Sequence, residues 1–280
     1  MQMHSITYMI SGLPREHISS IFPLTLKKTY FTSVNPNNGN KSHVPLYRAL
    51  SKRGIASRKM AQEMIERGEI SVDGVVSHDP ERMVDLEATA ICHNGKELVQ
   101  ADLSVIMLYK PRGVITSRKD EQNRPTVYSL LLPELQSLHC VGRLDFATSG
   151  LLLLTNNTIL SSWLTDPLNA VPRVYTVTVR GLLTEKEAEK MRGGIMDNGE
   201  TLAASTVLVR KASGRESHLV LTLSQGKNRE IRRMCKALGH EVTRLKRVAF
   251  GGLTLGNLQP GGYCRVSEGE LFEAFPGLPM

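Results

Sequence analysis

Residues 141–157 read VGRLDFATSGLLLLTNN, and the rest of the chain is best read outward from them. Leu151, Leu152, Leu153 and Leu154 form a short apolar run that reads as a buried strand. Just before it, Asp145 sits in a loop entered through Gly142. A loop carboxylate held by a rigid buried strand is well placed to act as a nucleophile or a base. Arg143, two residues earlier, could point to the same side and hold a phosphate or the loop itself. The plainer reading is an aspartate that caps its own turn or pairs with Arg143. A lone carboxylate argues against ordinary glycoside hydrolysis, which uses a pair.

Downstream, residues 221–240 read LTLSQGKNREIRRMCKALGH. A strand leads through Gln225-Gly226 into a helix whose apolar face is Ile231, Met234, Cys235 and Leu238, at i, i+3, i+4 and i+7. Arg229, Arg232, Arg233 and Lys236 form a second, basic stripe. Part of it suits phosphate contacts, together with the neighbouring Lys227. An arginine near the helix start could instead pair with a buried carboxylate and keep it ionised. The bland alternative is a solvated helical face. Between these segments lies VYTVTV, where alternation puts Tyr175, Val177 and Val179 on one face. Tyr175 is then a core residue or an aromatic plate under a flipped nucleobase.

Further strands are expected at residues 105–109, 175–179, 203–209 and 219–223. Helices are expected at 158–164 and 184–191, the second opening with the Thr184/Glu187 capping box. A last helix spans about 229–238 and stops at Gly239. Irregular interspersion of strands and helices predicts an α+β catalytic domain over residues 104–276. Upstream, Pro45 opens a helix with Leu46, Ala49 and Leu50 on its apolar face, and Gly54 ends it. Ser57 caps a second helix with Met60, Met64 and Ile65 inward. Ile70 and Val72 turn through Asp73-Gly74, a type I′ dipeptide, to Val75 and Val76. Another strand is expected around 88–91, before Asn94-Gly95. These elements predict a small domain over residues 44–100. Residues 1–43, with NPNNGN and Glu16 as the only acidic residue before Gln62, read as a poorly ordered extension or faintly as an organelle address.

The chain has 280 residues, 35 basic and 27 acidic, for a net charge of +8 and a pI near 9.4. That balance favours anionic partners. The absence of a long uncharged apolar run excludes a spanning helix. Cys92, Cys140, Cys235 and Cys264 are scattered, so neither a disulfide framework nor a metal site is expected, and a reducing, cytoplasmic setting is. Lys52, Arg53, Arg58 and Lys59 flank the turn between the first two helices and suit phosphate contacts.

The stretch LYRALSKRGIASRKMAQEMIERGEISVDGVV, residues 46–76, resembles the alpha-L RNA-binding motif. KPRGVITS, NRPTVYSLL, GRLDFATSGLLLLTNN, RVYTVTV, QGKNREIRRM and RLKRVAFGG resemble, in order, the 16S/23S ribosomal RNA pseudouridine synthase family. The resemblance implies a mixed, largely antiparallel sheet around a cleft and isomerisation of uridine to pseudouridine in ribosomal RNA or a pre-ribosomal particle. It implies 23S RNA before 16S, by the look of KPRGVITS and NRPTV. It further implies Asp145 as the essential aspartate, Tyr175 packing on the target base, Arg232 pairing with Asp145, and Arg143 helping to displace the base. No cofactor, metal or membrane is implied, and a monomer of bacterial cytoplasmic type is expected. Glu230, Gln225 and Arg173 depart from the residues common in the family, which bears on the target nucleotide. The competing class is a non-catalytic RNA-binding ribosome assembly factor on the same scaffold; it would be marked by loss of the Asp-Tyr-Arg set, and all three residues are present.

Overall fold

A computed structural model describes residues 43–86, 88–98 and 102–278; of the extension expected at residues 1–43, residues 1–42 lie outside them and His43 opens a strand. The first elements are β1 (His43–Pro45), α1 (Leu46–Lys52) and α2 (Arg58–Glu66), followed by β2 (Ile70–Val72), β3 (Val75–Val76), β4 (Met83–Asp85), β5 (Ile91–His93) and β6 (Lys96–Glu97). Ser57 caps α2 by accepting from the Met60 amide. Asp73 and Gly74 both take positive φ, as the type I′ turn requires. Leu46, Ala49 and Leu50 of α1 meet Ala61, Met64 and Ile65 of α2 and Ile70, Val72 and Ile91 in a core of their own. Two local expectations shift. Ala61 takes the inward place expected of Met60, which is 53% exposed, because 61, 64 and 65 are the i, i+3, i+4 set. The strand expected around 88–91 begins at Ile91, since the Asp73 carboxylate accepts from the Ala90 amide and holds the preceding residues in a turn.

The second region runs through β7 (Val105–Lys110), β8 (His139–Val141), β9 (Ser149–Thr155), α3 (Thr158–Thr165), β10 (Arg173–Arg180), α4 (Glu185–Gly193), β11 (Ile195–Asp197), β12 (Glu200–Leu202), β13 (Thr206–Ala212), β14 (Glu216–Leu223), α5 (Glu230–Ala237), β15 (Val242–Phe250), β16 (Leu253–Thr254), β17 (Tyr263–Arg265) and α6 (Glu268–Ala274). The main sheet runs β13-β14-β10-β15-β9-β7-β17, with β8 on β9 and β16 on β15. Only the β9–β15 pair is parallel, so the sheet is mixed and largely antiparallel. Both faces are covered, which explains why residues 151–154 are continuously apolar. Leu152 and Leu154 enter one core with Val177, Leu221 and Met234, while Leu151 and Leu153 enter another with Leu164, Phe250 and Phe275. At about 25 cal/mol per Å² of apolar surface removed from water, each leucine contributes up to roughly 2 kcal/mol.

The strand expected at 203–209 lies at Thr206–Ala212 instead. Ala204 and Ser205 form the connection, their amides donating to Met191 and Thr222 carbonyls. The helix at 229–238 is not the last: α6 follows, with a Ser267/Glu270 capping box.

Candidate active site

The loop at residues 142–148 joins β8 to β9, and its backbone is held at successive carbonyls. Thr116 Oγ1 donates to the Leu144 carbonyl at 2.8 Å, and the Gly113 amide donates to that of Phe146 at 2.9 Å. Arg232 Nη2 donates to Ala147 at 3.2 Å. Lys110 Nζ donates to Asp145 at 3.1 Å, to Thr148 at 2.8 Å and to Pro111 at 3.1 Å. Lys110 is fully buried at the end of β7, and burial pushes its ammonium down to about 8 against the opposing pull of Asp145. The Asp145 backbone is thereby fixed while its side chain stays partly open to solvent.

Gly150 sets the depth of this loop. It has φ +118°, and a Cβ there would fall 2.1 Å from the Arg247 carbonyl oxygen, so the parallel contact of β9 with β15 requires glycine. That contact carries Asp145 over one face of the sheet. A cleft of about 190 Å³ opens there, lined by Arg143, Asp145, Thr148, Tyr175, Arg229, Arg232 and Arg247 among others. Tyr175 is 8% exposed and packs in the main core while lining the cleft, so its two readings are compatible. Arg143 is exposed at the rim.

The basic helix divides its duties differently from expectation. The side chain meeting Asp145 belongs to Arg229, whose Nη1 is 3.5 Å from Oδ2. Arg229 takes left-handed φ, +50°, at the cap of α5 and so turns back toward the loop. Arg232, one turn on, is committed to the Ala147 and Val242 carbonyls. It does not hydrogen-bond the carboxylate, although its guanidinium feels the charge of Asp145, and burial pushes its pKa down. In this structure the contact expected of Arg232 is made by Arg229.

Of the cations expected to face phosphate, Arg233 is bound to Asp197 and Glu200, and Lys227 donates to the Thr201 carbonyl beside Glu200. Arg53 donates to the Leu86 and Thr89 carbonyls at 2.7 and 2.8 Å. These three are tied into the fold. Arg58 and Lys59 project into solvent, and Lys52 is partly exposed.

Sequence reasoning did not single out Lys110, Thr116, Thr148 or Arg247. The one available signal was a lysine closing the apolar strand VIMLYK, an expensive place for a charge without partners. Glu230 is 3% exposed, and burial pushes its carboxyl up. Arg173 is buried and donates to the Leu164, Val171, Ser224 and Gln225 carbonyls, and the charge of Glu230 reaches it. Among the described residues no group of three His, Cys, Asp or Glu side chains could hold a metal, and no helix is long and apolar enough to cross a membrane.

Residues 104–237 match the model of the family described as RNA pseudouridylate synthase, and residues 44–89 match the S4 domain. The chain is 33% identical over 229 residues to ribosomal large subunit pseudouridine synthase B of Bacillus subtilis, covering 81% of this chain and 93% of that one. It is 34% identical over 224 residues to the protein of the same name from Yersinia pestis, covering 78% and 70%. Among solved structures, a crystal structure of a pseudouridylate synthase superposes with a TM-score of 0.59 at 25% identity, covering 83% of this chain and 99% of that one.

Proposed function

The chain belongs to the RNA pseudouridylate synthase family and is an RNA pseudouridine synthase; from that premise we propose that it isomerises one class of uridine in ribosomal RNA, in the 23S molecule, with Asp145 as the essential group. The observation that carries the reading is the Asp145 carboxylate, on a loop whose carbonyls are tied down, beside Arg229 in a cleft that also holds Tyr175. The names of the Bacillus and Yersinia relatives favour large-subunit RNA, and the setting is the cytoplasm, with the protein acting as a monomer.

The uridine leaves its stack, at a cost of a few kcal/mol, and lies against Tyr175. The bond from N1 to the sugar breaks, the base turns, and C5 bonds to the same sugar carbon. Asp145 attacks that carbon, adds to the base, or removes the 2′ hydrogen; each route requires an ionised carboxylate beside the ribose. Arg229 stands beside that carboxylate, and Arg232 acts on the loop through Ala147. Arg143 at the rim fills the space the base vacates. Lys52, Arg58 and Lys59 hold phosphates of the surrounding RNA.

The test is tritium release from C5-labelled uridine in 23S and 16S transcripts. D145N is expected to bind RNA within a few fold of wild type and to release no tritium. Turnover by D145N would sink the assignment, and release from 16S alone would move the target.

A further inference from the structure

The cleft contains more hydrogen-bonding capacity than the protein uses. Among the described residues, the buried side-chain atoms without a partner are His139 Nε2, Thr148 Oγ1, Arg232 Nε and Arg247 Nη2, and the last three belong to residues lining the cleft. Buried polar atoms are nearly always paired, so their concentration here marks a place built for something to enter. They also differ in position. Thr148 and Arg232 belong to the Asp145 loop and its support, where the sugar would lie. Arg247 stands across the β10–β15 pair from Tyr175, its registered neighbour, where the base would lie.

Arg247 is 3% exposed, and its Nε donates to the Leu151 carbonyl at 2.7 Å. Its guanidinium lies 5.0 Å from the Phe250 ring centre, and that of Arg173 lies 5.1 Å from the same ring. Two arginines, neither of which can lose its proton in a protein, thus share the floor of one small cleft. Arg173 spends its donors on four carbonyls, whereas Arg247 Nη2 has none. The acid whose charge reaches Arg173 is Glu230, itself buried, with its carboxyl pushed up and so a weak counter-ion. A floor with surplus positive charge and a spare donor favours a guest that becomes negative.

Building on the proposed reaction, we infer that Arg247 receives the charge of the detached base, Nη2 donating to a uracil carbonyl oxygen as the N1–C1′ bond breaks. The electron pair of that bond stays on the base and is shared with its two carbonyl oxygens. It is withdrawn again when C5 bonds to C1′, the C5 proton leaves and N1 takes up a proton. No outside oxidant or reductant enters. A donor fixed where negative charge develops lowers the barrier without lowering the energy of the neutral bound base equally. Arg247 would therefore act on kcat more than on KM.

The experiment uses the full chain and the RNA whose uridine the tritium assay identifies, prepared with oxygen, or with sulfur at C2 or at C4 of the base. Single-turnover rates are measured for wild type, R247Q and the charge-keeping R247K. On the oxygen RNA, R247Q should be slower by about 100-fold, as on loss of an oxyanion donor, with R247K between. The oxygen-to-sulfur rate ratio should be at least about fivefold larger for wild type than for R247Q at one of the two positions, because atoms in contact do not act independently. A merely structural Arg247 gives equal ratios at both positions, and that result overturns the inference. So does an R247Q rate within threefold of wild type, or a wild type indifferent to sulfur at both positions, a measurement that needs no variant to fold. Absence of wild-type turnover on the oxygen RNA would instead remove the premise, a distinct result.

Discussion

The cleft and the S4 domain both carry clustered positive charge, but they hold it in opposite ways. In the cleft region Lys110, Arg173 and Arg247 are buried, and each donates to backbone carbonyls. Around the turn between α1 and α2, Arg58 and Lys59 stand in solvent, and among the described residues Lys59 meets only Glu63, at 3.9 Å. Buried cations have given up water and must be repaid by fixed acceptors, so they serve position. Exposed ones keep their hydration and their freedom, so they are available to phosphates and are screened by salt. The same residue types thus do different work according to where the fold leaves them.

The largest effect is expected where this distinction is sharpest. K110M should lower stability by about 3 kcal/mol, since it leaves the Pro111, Asp145 and Thr148 carbonyls without their common donor. Its pH dependence is a second readout. The folded-state value of Lys110 lies near 8, below its ordinary 10.5. Between those values the unfolded chain holds more protons at this site than the folded one, so stability rises with pH there. The charging penalty is fully present below about 8 and is relieved as the pH climbs toward 10.5. The margin of wild type over K110M should therefore widen from pH 8 to pH 10 in denaturant melts. A margin that narrows across that window would mean the amine is not depressed.

Arg53 tests the comparison from the other side, because it lies in the S4 domain yet behaves like a cleft cation. Its bonds to Leu86 and Thr89 hold the turn after β4 against α1. R53Q should cost about 1–2 kcal/mol of stability and leave the salt dependence of RNA binding unchanged. A flatter salt slope with unchanged stability would place Arg53 among the phosphate contacts after all.

Much of this architecture was legible in the sequence, where local rules decide the outcome. The Thr184 and Ser57 caps, the Asp73-Gly74 turn and the leucine strand each rest on a few adjacent residues, and each formed where expected. Strand β15 is hard to read because VTRLKRVAF alternates only over Arg244, Leu245 and Lys246 before Arg247 breaks the pattern, and bulges at Thr243 and Val248 shift its register against β10. Helix α6 carries a legible start signal, the S-x-x-E of Ser267 and Glu270, but is only seven residues long. In the cleft, residue type and setting leave Asp145 between a turn cap and a reactive carboxylate and Tyr175 between core and base plate; the family resemblance makes them site candidates, and both line the cleft. The choice between Arg229 and Arg232 could not be read there, because it depends on one left-handed residue at the start of α5. Lys110 and Arg247 were hidden for a related reason: their acceptors lie 35 and 96 positions away in the chain.

The smallest effect on the fold should come from Lys52, Arg58 and Lys59 together. Replacing all three with glutamine should change stability by less than about 0.5 kcal/mol, since exposed charges contribute little. RNA affinity should respond differently. Each cation that neutralises a phosphate releases a counter-ion, so removing three should flatten the slope of log affinity against log salt by about 2 to 3. Affinity at low salt should fall, while at high salt the variant and wild type converge. Turnover at saturating RNA should hold, because none of the three lines the cleft. This separates the two regions cleanly: K110M disturbs the fold at any ionic strength, and the triple variant weakens binding only where salt permits. An unchanged slope would show that the exposed cluster is a solvated face and that RNA is held by other cations, with Arg143 and Arg229 at the rim of the cleft the next to be tested.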